Sequence, residues 1–167
     1  MDSESFIEDS FCGLRCGACE ILVAYRKGRE NGSAPKWSDL PRPLRDYIPP
    51  ADIVCQGCKT DKVFAGCRGC RVRECARERN VEACVVCPDF PCHRVEQLRA
   101  LIPGIKDRLP HTVTIFGDTE TARDRGYEAW AEAQRARWTC PACGAPFTWY
   151  QERCRGCGLG LKDARGY

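Results

Sequence analysis

The sequence predicts a small mixed, mainly α fold: a cysteine-rich helical domain stapled by metal, followed by a short β ribbon. Three observations carry that prediction. Fifteen of the 167 residues are cysteine, a density at which thiols define the composition. Most of them come as C-x-x-C pairs, a spacing suited to chelation rather than to a disulfide ladder. Between the pairs lie short helical patterns cut by proline and glycine. Leu, Ile, Val, Phe and Met are sparse, so a conventional apolar core would be small and cross-links must supplement it.

The elements follow in chain order. "CGLRCGACEILVAYRKGREN" opens with three cysteines and runs into an amphipathic helix through Ile21, Leu22 and Tyr25, ending near Asn31-Gly32. The proline-punctuated stretch around Trp37 to Tyr47 holds one or two helical turns. Residues 53–92 are cysteine-dense and loop-rich, with a helix over about 71–80. "CHRVEQLRALI" places Val95, Leu98, Leu101 and Ile102 on one face of a further helix that Pro103-Gly104 ends. "LPHTVTIF" reads as a strand or an extended connector. From Asp118 to about Trp138 the spacing of Ala122, Tyr127, Trp130 and Ala131 fits a helix, weakened at Gly126 by about 1 kcal/mol relative to alanine. The expected division is residues 1–112 as a cysteine-rich metal-binding domain, 113–137 as a connecting helix and 138–167 as a ribbon.

The ribbon carries the sharpest signal. Cys140 and Cys143 form C-P-x-C-G, and Cys154 and Cys157 form C-x-x-C-G. Each pair can turn as a knuckle, its glycine taking the left-handed conformation while backbone N–H groups point at sulfur. Two facing knuckles offer four thiolates to a tetrahedral ion, with Zn–S near about 2.3 Å. The intervening "APFTWYQER" is long enough for a small hairpin, giving a zinc ribbon. All four positions are filled by protein, so the site is structural rather than catalytic. Iron fits the same sulfur cage.

Eleven cysteines remain. Cys55, Cys58, Cys67 and Cys70 read as a second closed four-thiolate site. Cys75, Cys84, Cys87 and Cys92 are enough for a third. Cys12, Cys16 and Cys19 are then a trio, one thiol short of a closed site. Three outcomes are open: His93 supplies a further ligand, a thiolate bridges two metals, or one site keeps an open position for water, substrate or an exogenous ligand. The C-x-x-x-C-x-x-C spacing of the trio is also that of radical-SAM enzymes, but that chemistry needs a large strand–helix barrel that the rest of the chain does not encode. His93 reads as a helix-start residue, and His111, in "RLPHTV", as ordinary.

Arg68, Arg71, Arg73, Arg77, Arg79, Arg153 and Arg155 interleave with the cysteines. Thiolate metal sites are anionic, and neighbouring guanidinium groups offset that charge. The alternative, a nucleic-acid surface, needs a basic footprint. The formal net charge is only +3, from 26 basic and 23 acidic residues, and ionised thiols would make it negative. No phosphate-binding loop, H-E-x-x-H or G-x-S-x-G motif is present. "MDSESFIEDSFCGL" lacks a secretory pattern and no apolar run approaches a membrane span. The expected setting is the cytoplasm, where thiols stay reduced.

Together, "CGLRCGAC" at 12–19, C-x-G-C at Cys55 to Cys58 and "CRGCRVRECARERNVEACVVCPDFPC" at 67–92 resemble the cysteine-rich domain of unknown function 3795 family. The resemblance extends to "GYEAW" at 126–130 and to the terminal "FTWY". It implies a metal-binding protein without an assigned activity, in which the eleven N-terminal cysteines belong to the family pattern and His93 usually does not. Members are common in anaerobes, which adds weight to iron–sulfur chemistry. The expected function is therefore a multi-site thiolate metal-binding protein, zinc favoured, acting as a non-enzymatic module for a protein or nucleic-acid partner. The alternative is a redox or sulfur-handling protein with 4Fe–4S clusters in the N-terminal domain and zinc only in the ribbon. An enzyme working at an open position on Cys12, Cys16 and Cys19 is the third reading.

Overall fold

The computed structural model describes residues 5–167. The expectation about the N-terminus therefore begins on residues 1–4, which lie outside the described ones. Among the described residues six α-helices follow one another: α1 (Glu20–Asn31), α2 (Arg42–Tyr47), α3 (Arg71–Glu78), α4 (His93–Ile105), α5 (Thr119–Arg137) and α6 (Lys162–Arg165). Short 3-10 turns connect them. The protein is mainly helical, with a concentrated set of cysteines.

Local chemistry explains most boundaries. α1 stops at Gly32, which takes a left-handed φ of 63° and donates its N–H to the Gly28 carbonyl, the C-terminal glycine signature. Three helices share an unusual start: Cys19, Cys70 and Cys92 are the N-cap residues of α1, α3 and α4. Each thiol thus stands where the unpaired N–H groups and positive end of the helix dipole favour an anion.

Four expectations need correction. "LPHTVTIF" is not extended over 110–114 but forms a 3-10 helix, Pro110–Thr114. Pro110 presets its start, and the Thr112 and Thr114 hydroxyls donate to the Leu109 and His111 carbonyls at 2.7 and 2.8 Å, local bonds that compete with a strand ladder. α4 runs on through Pro103 to Ile105. The helix over 119–137 is broken at Gly126, whose φ of 81° and ψ of −178° are not helical. Last, the expected hairpin between the two C-terminal cysteine pairs is not formed. Strand pairing among the described residues is confined to two isolated bridges, Thr139 with Pro146 and Arg153 with Gly160. Each bridge closes the flanks of its own knuckle, so chain pairing stops where the knuckle ends.

The core is three small clusters rather than one. Phe11, Val72, Val95, Phe116 and Trp130 anchor the first; Ile21, Leu22, Leu44 and Phe64 the second; Trp138, Phe147, Trp149 and Leu161 the third. Cysteines pack against all three: Cys12, Cys58 and Cys70 border the first, Cys16 and Cys19 the second, and Cys140 and Cys154 lie within the third. Thiols therefore sit within and at the margins of small cores, where further cross-links add most to stability.

Candidate metal centres

The C-terminal set is the most compact. The Sγ atoms of Cys140, Cys143, Cys154 and Cys157 all lie within 4.8 Å of one another. Cys140 and Cys157 approach to 3.6 Å, and Cys143 and Cys154 to 3.5 Å. A tetrahedral ion about 2.3 Å from each sulfur holds the sulfurs roughly 3.8 Å apart, so the cage is the size of one metal ion. Its two halves repeat the same backbone chemistry. Gly144 donates to the Cys140 carbonyl and Gly158 to the Cys154 carbonyl, both at 2.9 Å, with positive φ of 73° and 77°. Cys140 then donates to Ala145 at 2.9 Å, and Cys154 to Leu159 at 2.8 Å. These are the left-handed knuckles expected from the two C-x-x-C-G motifs.

The electrostatics suit a cation. N–H groups near Cys154, first that of Cys157 and then that of Gly156, bring its thiol down to about 6. Gly156 N lies 3.4 Å from the Cys154 sulfur. The Ala145 N–H also pulls on Cys143, but contact with the Cys154 and Cys157 sulfurs outweighs it and pushes Cys143 up to about 12. One thiol ionises readily and its neighbour then resists, as like charges in one site do. A cation relieves that repulsion. These four cysteines can hold a metal ion.

In the N-terminal part the chain brings together what the sequence left apart. Residues 7–18 thread between two cysteine-bearing loops. Ile7 donates to Gln56 at 2.8 Å, and Cys58 N–H points at the Cys16 sulfur at 3.4 Å. Cys84 donates to Phe11, and Phe116 to Cys12, at 2.8 and 2.7 Å. This threading is tight: at Gly57, with φ 116°, a Cβ would stand 1.9 Å from the Ile7 carbonyl oxygen. Cys12, Cys16 and Cys19 are therefore not an isolated trio. Cys16 lies in electrostatic reach of Cys58, Cys19 and Cys55. Cys19 reaches Cys55 and Cys67, and Cys12 reaches Cys70. Burial first raises Cys16 and Cys19 well above the ordinary range and pushes Cys58 and Cys67 up to about 12; neighbouring thiols add to this, after the Glu20 carboxylate in the case of Cys19. A metal arriving here has to displace thiol protons.

Cys75, Cys84, Cys87 and Cys92 converge on one cavity of about 490 Å³, with Arg79 and His93 also in its wall. Among the described residues, the only group of three or more potential ligand atoms drawn within 4.8 Å of one another is the C-terminal one. The thiols around this cavity are thus more widely spread.

Several arginines are occupied internally. Arg73 is buried and donates to the Cys58 and Thr60 carbonyls at 2.8 and 2.7 Å. Arg77 pairs with Asp61 at 2.6 Å. Arg79 pairs with Asp89 and stands 3.9 Å from the Cys87 sulfur. Arg153 donates to the Gly158 carbonyl at 3.2 Å. Of these arginines, Arg79 stands beside a sulfur, and the others engage carbonyls and a carboxylate.

Sequence reasoning missed the seam beside the C-terminal knuckles. His111, read as ordinary, is buried and stacked on Trp149 with centroids 4.0 Å apart and planes 5° from parallel. Its Nδ1 lies 2.7 Å from the Tyr150 hydroxyl, and burial lowers its pKa to about 3. Tyr150 N–H donates to buried Glu20 at 2.7 Å, and Trp149 N–H to the Ala18 carbonyl at 3.0 Å. The usable signal was "FTWY", three aromatics in four residues just after a knuckle. "GYEAW" likewise has a place: Tyr127 accepts from Lys59 at 2.8 Å, and Trp130 N–H donates to Gly117 at 2.9 Å.

Fold and site define the class: a small, mainly helical, cysteine-rich protein with a four-thiol set able to bind a metal ion. The chain belongs to the DUF3795 family, described as a protein of unknown function, whose model matches residues 9–97. The match takes in the eleven N-terminal cysteines and stops before "GYEAW" and the terminal knuckles, so it is shorter than the resemblance read from the sequence. No curated protein and no solved structure matches the chain. No described helix is long and apolar enough to cross a membrane.

Proposed function

We propose that this protein is a multi-centre thiolate metalloprotein in which zinc closes the Cys140, Cys143, Cys154 and Cys157 set as a structural zinc ribbon. The observation that carries this reading is the approach of those four sulfurs to within 4.8 Å, which suits one tetrahedral ion. In this reading residues 1–112 carry the further metal centres, 113–137 the connecting helix and 138–167 the zinc module. Cys12, Cys16, Cys19, Cys55, Cys58, Cys67 and Cys70 form one group, in which a shared thiolate lets seven ligands serve two metals. This favours the bridging outcome over an open catalytic trio. The protein then works as a metal-organised scaffold in a reducing compartment such as the cytoplasm, and its surface serves a protein partner. A nucleic-acid partner is less favoured, because Arg73, Arg77 and Arg79 are committed to internal carbonyls, carboxylates and sulfur.

The test is metal analysis of protein isolated without oxygen, with Cys143→Ser beside the wild type. Loss of one zinc in the variant supports the assignment. Wild-type protein that carries no metal and folds without it overturns the whole reading. Nucleic-acid binding that falls steeply with salt would overturn the preference for a protein partner.

A further inference from the structure

Two four-thiol sets in this chain share chemistry and differ in size. At Cys140, Cys143, Cys154 and Cys157 the sulfurs are drawn to ion-sized spacing. At Cys75, Cys84, Cys87 and Cys92 they surround a cavity of about 490 Å³. A single zinc ion needs four sulfurs roughly 3.8 Å apart. A cubane places iron and sulfide between its ligands and so spreads the cysteine sulfurs further.

The cavity wall suits a bulky anionic group. Apolar Val81, Phe90 and Val95 line it beside the thiols, limiting water around whatever sits there. Arg79 stands 3.9 Å from the Cys87 sulfur and is held by Asp89. Cys92 caps α4, a helix of 13 residues, so the positive helix end faces the same cavity. A cubane on four thiolates is a dianion in its oxidised form; Arg79, Arg94 and the α4 N-terminus face it, beside Glu78 and Asp89 in the same wall.

We propose that the cavity bounded by Cys75, Cys84, Cys87 and Cys92 is the seat of a 4Fe–4S cluster, distinct in kind from the zinc held by the C-terminal knuckles. On loading from a preformed 4Fe–4S core carried by exogenous thiolates, each of the four cysteine thiols gives up its proton to a departing thiolate and takes that thiolate's place on one iron, so no oxidation state changes. The inference rests on the thiolate-metalloprotein reading and adds which site takes which cofactor. Cys84 is tied to the seven-cysteine group, since its N–H donates to the Phe11 carbonyl, next to Cys12. The cluster therefore adjoins the second group of metal ligands.

The experiment uses the full chain, loaded anaerobically with a preformed 4Fe–4S thiolate complex and with zinc. Iron, acid-labile sulfide and zinc are counted per chain, and the dithionite-reduced protein is examined by electron paramagnetic resonance. Cys87→Ser and Cys92→Ser are expected each to lose one cluster's iron and sulfide and the matching resonance, with zinc unchanged. Cys143→Ser is expected to lose one zinc and keep all iron. Loss of zinc rather than iron from Cys87→Ser would overturn the cluster proposal while leaving the metalloprotein reading intact. So would iron that survives both cavity variants but is lost from Cys58→Ser. Absence of any bound metal in the wild type would instead overturn the reading on which the proposal rests. Helical circular dichroism retained by at least one cavity variant keeps the comparison valid; Cys75→Ser, on α3, replaces a variant that does not fold.

Discussion

The C-terminal knuckles and the Cys75–Cys92 cavity are built from the same four ligands by different means. In the knuckles, each cysteine pair is closed by its own glycine and its own bridge, so the ligand geometry is set within a few residues of each sulfur. Around the cavity, the thiols come from α3, a 3-10 turn and the cap of α4, and their spacing depends on how those elements pack. The first arrangement presets an ion-sized cage. The second leaves room for a larger group and makes its geometry a property of the tertiary fold. Local closure goes with a small, rigid site, and assembly across elements with a spacious one.

The largest expected effect tests how far the knuckles depend on metal. Stripping the protein with a strong chelator is expected to unfold the C-terminal module. Structural zinc in finger peptides contributes an apparent 10–16 kcal/mol or so near neutral pH, on the order of the whole stability of a domain. Trp138 and Trp149 pack in that module, so their fluorescence reports the loss. Emission unchanged by complete metal removal would break the contrast between the two regions.

The next largest loss is expected at the threading that assembles the N-terminal thiols. Gly57→Ala puts a methyl group 1.9 Å from the Ile7 oxygen at a φ of 116°. Destabilisation of about 4 kcal/mol or more is expected, with N-terminal metal lost before knuckle zinc. Thermal unfolding combined with metal counting checks both. A variant as stable as wild type would show that the segment tolerates displacement.

The seam at His111 gives a pH signature. Burial holds its folded pKa at about 3, below the roughly 6.5 of the unfolded chain, so the fold requires neutral imidazole while the unfolded chain binds a proton. This contribution is fully present above pH about 6.5 and is lost as pH falls toward 3. At about 1.4 kcal/mol per unit over roughly 3.5 units, the total is on the order of 5 kcal/mol. His111→Phe keeps an aromatic ring on Trp149 and is expected to flatten the slope of stability against pH over that window. Denaturant titrations at matched zinc occupancy measure it, and equal slopes would remove His111 from the account.

The smallest effect is expected at Arg79, whose side chain is half exposed. Arg79→Gln should cost less than about 1 kcal/mol in stability and leave zinc content unchanged. A larger change in zinc than in iron would tie this arginine to the wrong site.

How much was legible in the sequence follows the same division. The knuckles could be read directly, because C-x-x-C-G encodes its turn, its glycine conformation and its ligand spacing within five residues. The ends of α1 and the existence of α3 were equally local. The grouping of the N-terminal cysteines was not, because it depends on residues 7–18 passing between the loops at 55–58 and 84. No spacing rule encodes that crossing. "HTVT" misled because β-branched residues favour strands in general, while here two threonine hydroxyls bond their own turn. His111 gave no sign because a lone histidine becomes informative only once Trp149 and Tyr150 are beside it.

The repeated knuckle also gives its cage a direction. In each half the first cysteine is buried and the second exposed: Cys140 and Cys154 face inward, Cys143 and Cys157 outward. A bound ion would have one edge welded to the core and one edge open to solution. Ligand exchange would then start at the outer pair, with a competing thiol or chelator displacing Cys143 or Cys157 while the inner sulfurs keep their hold. The module works like a clasp with a fixed jaw and a loose one, and the loose jaw sets how fast its metal can be traded.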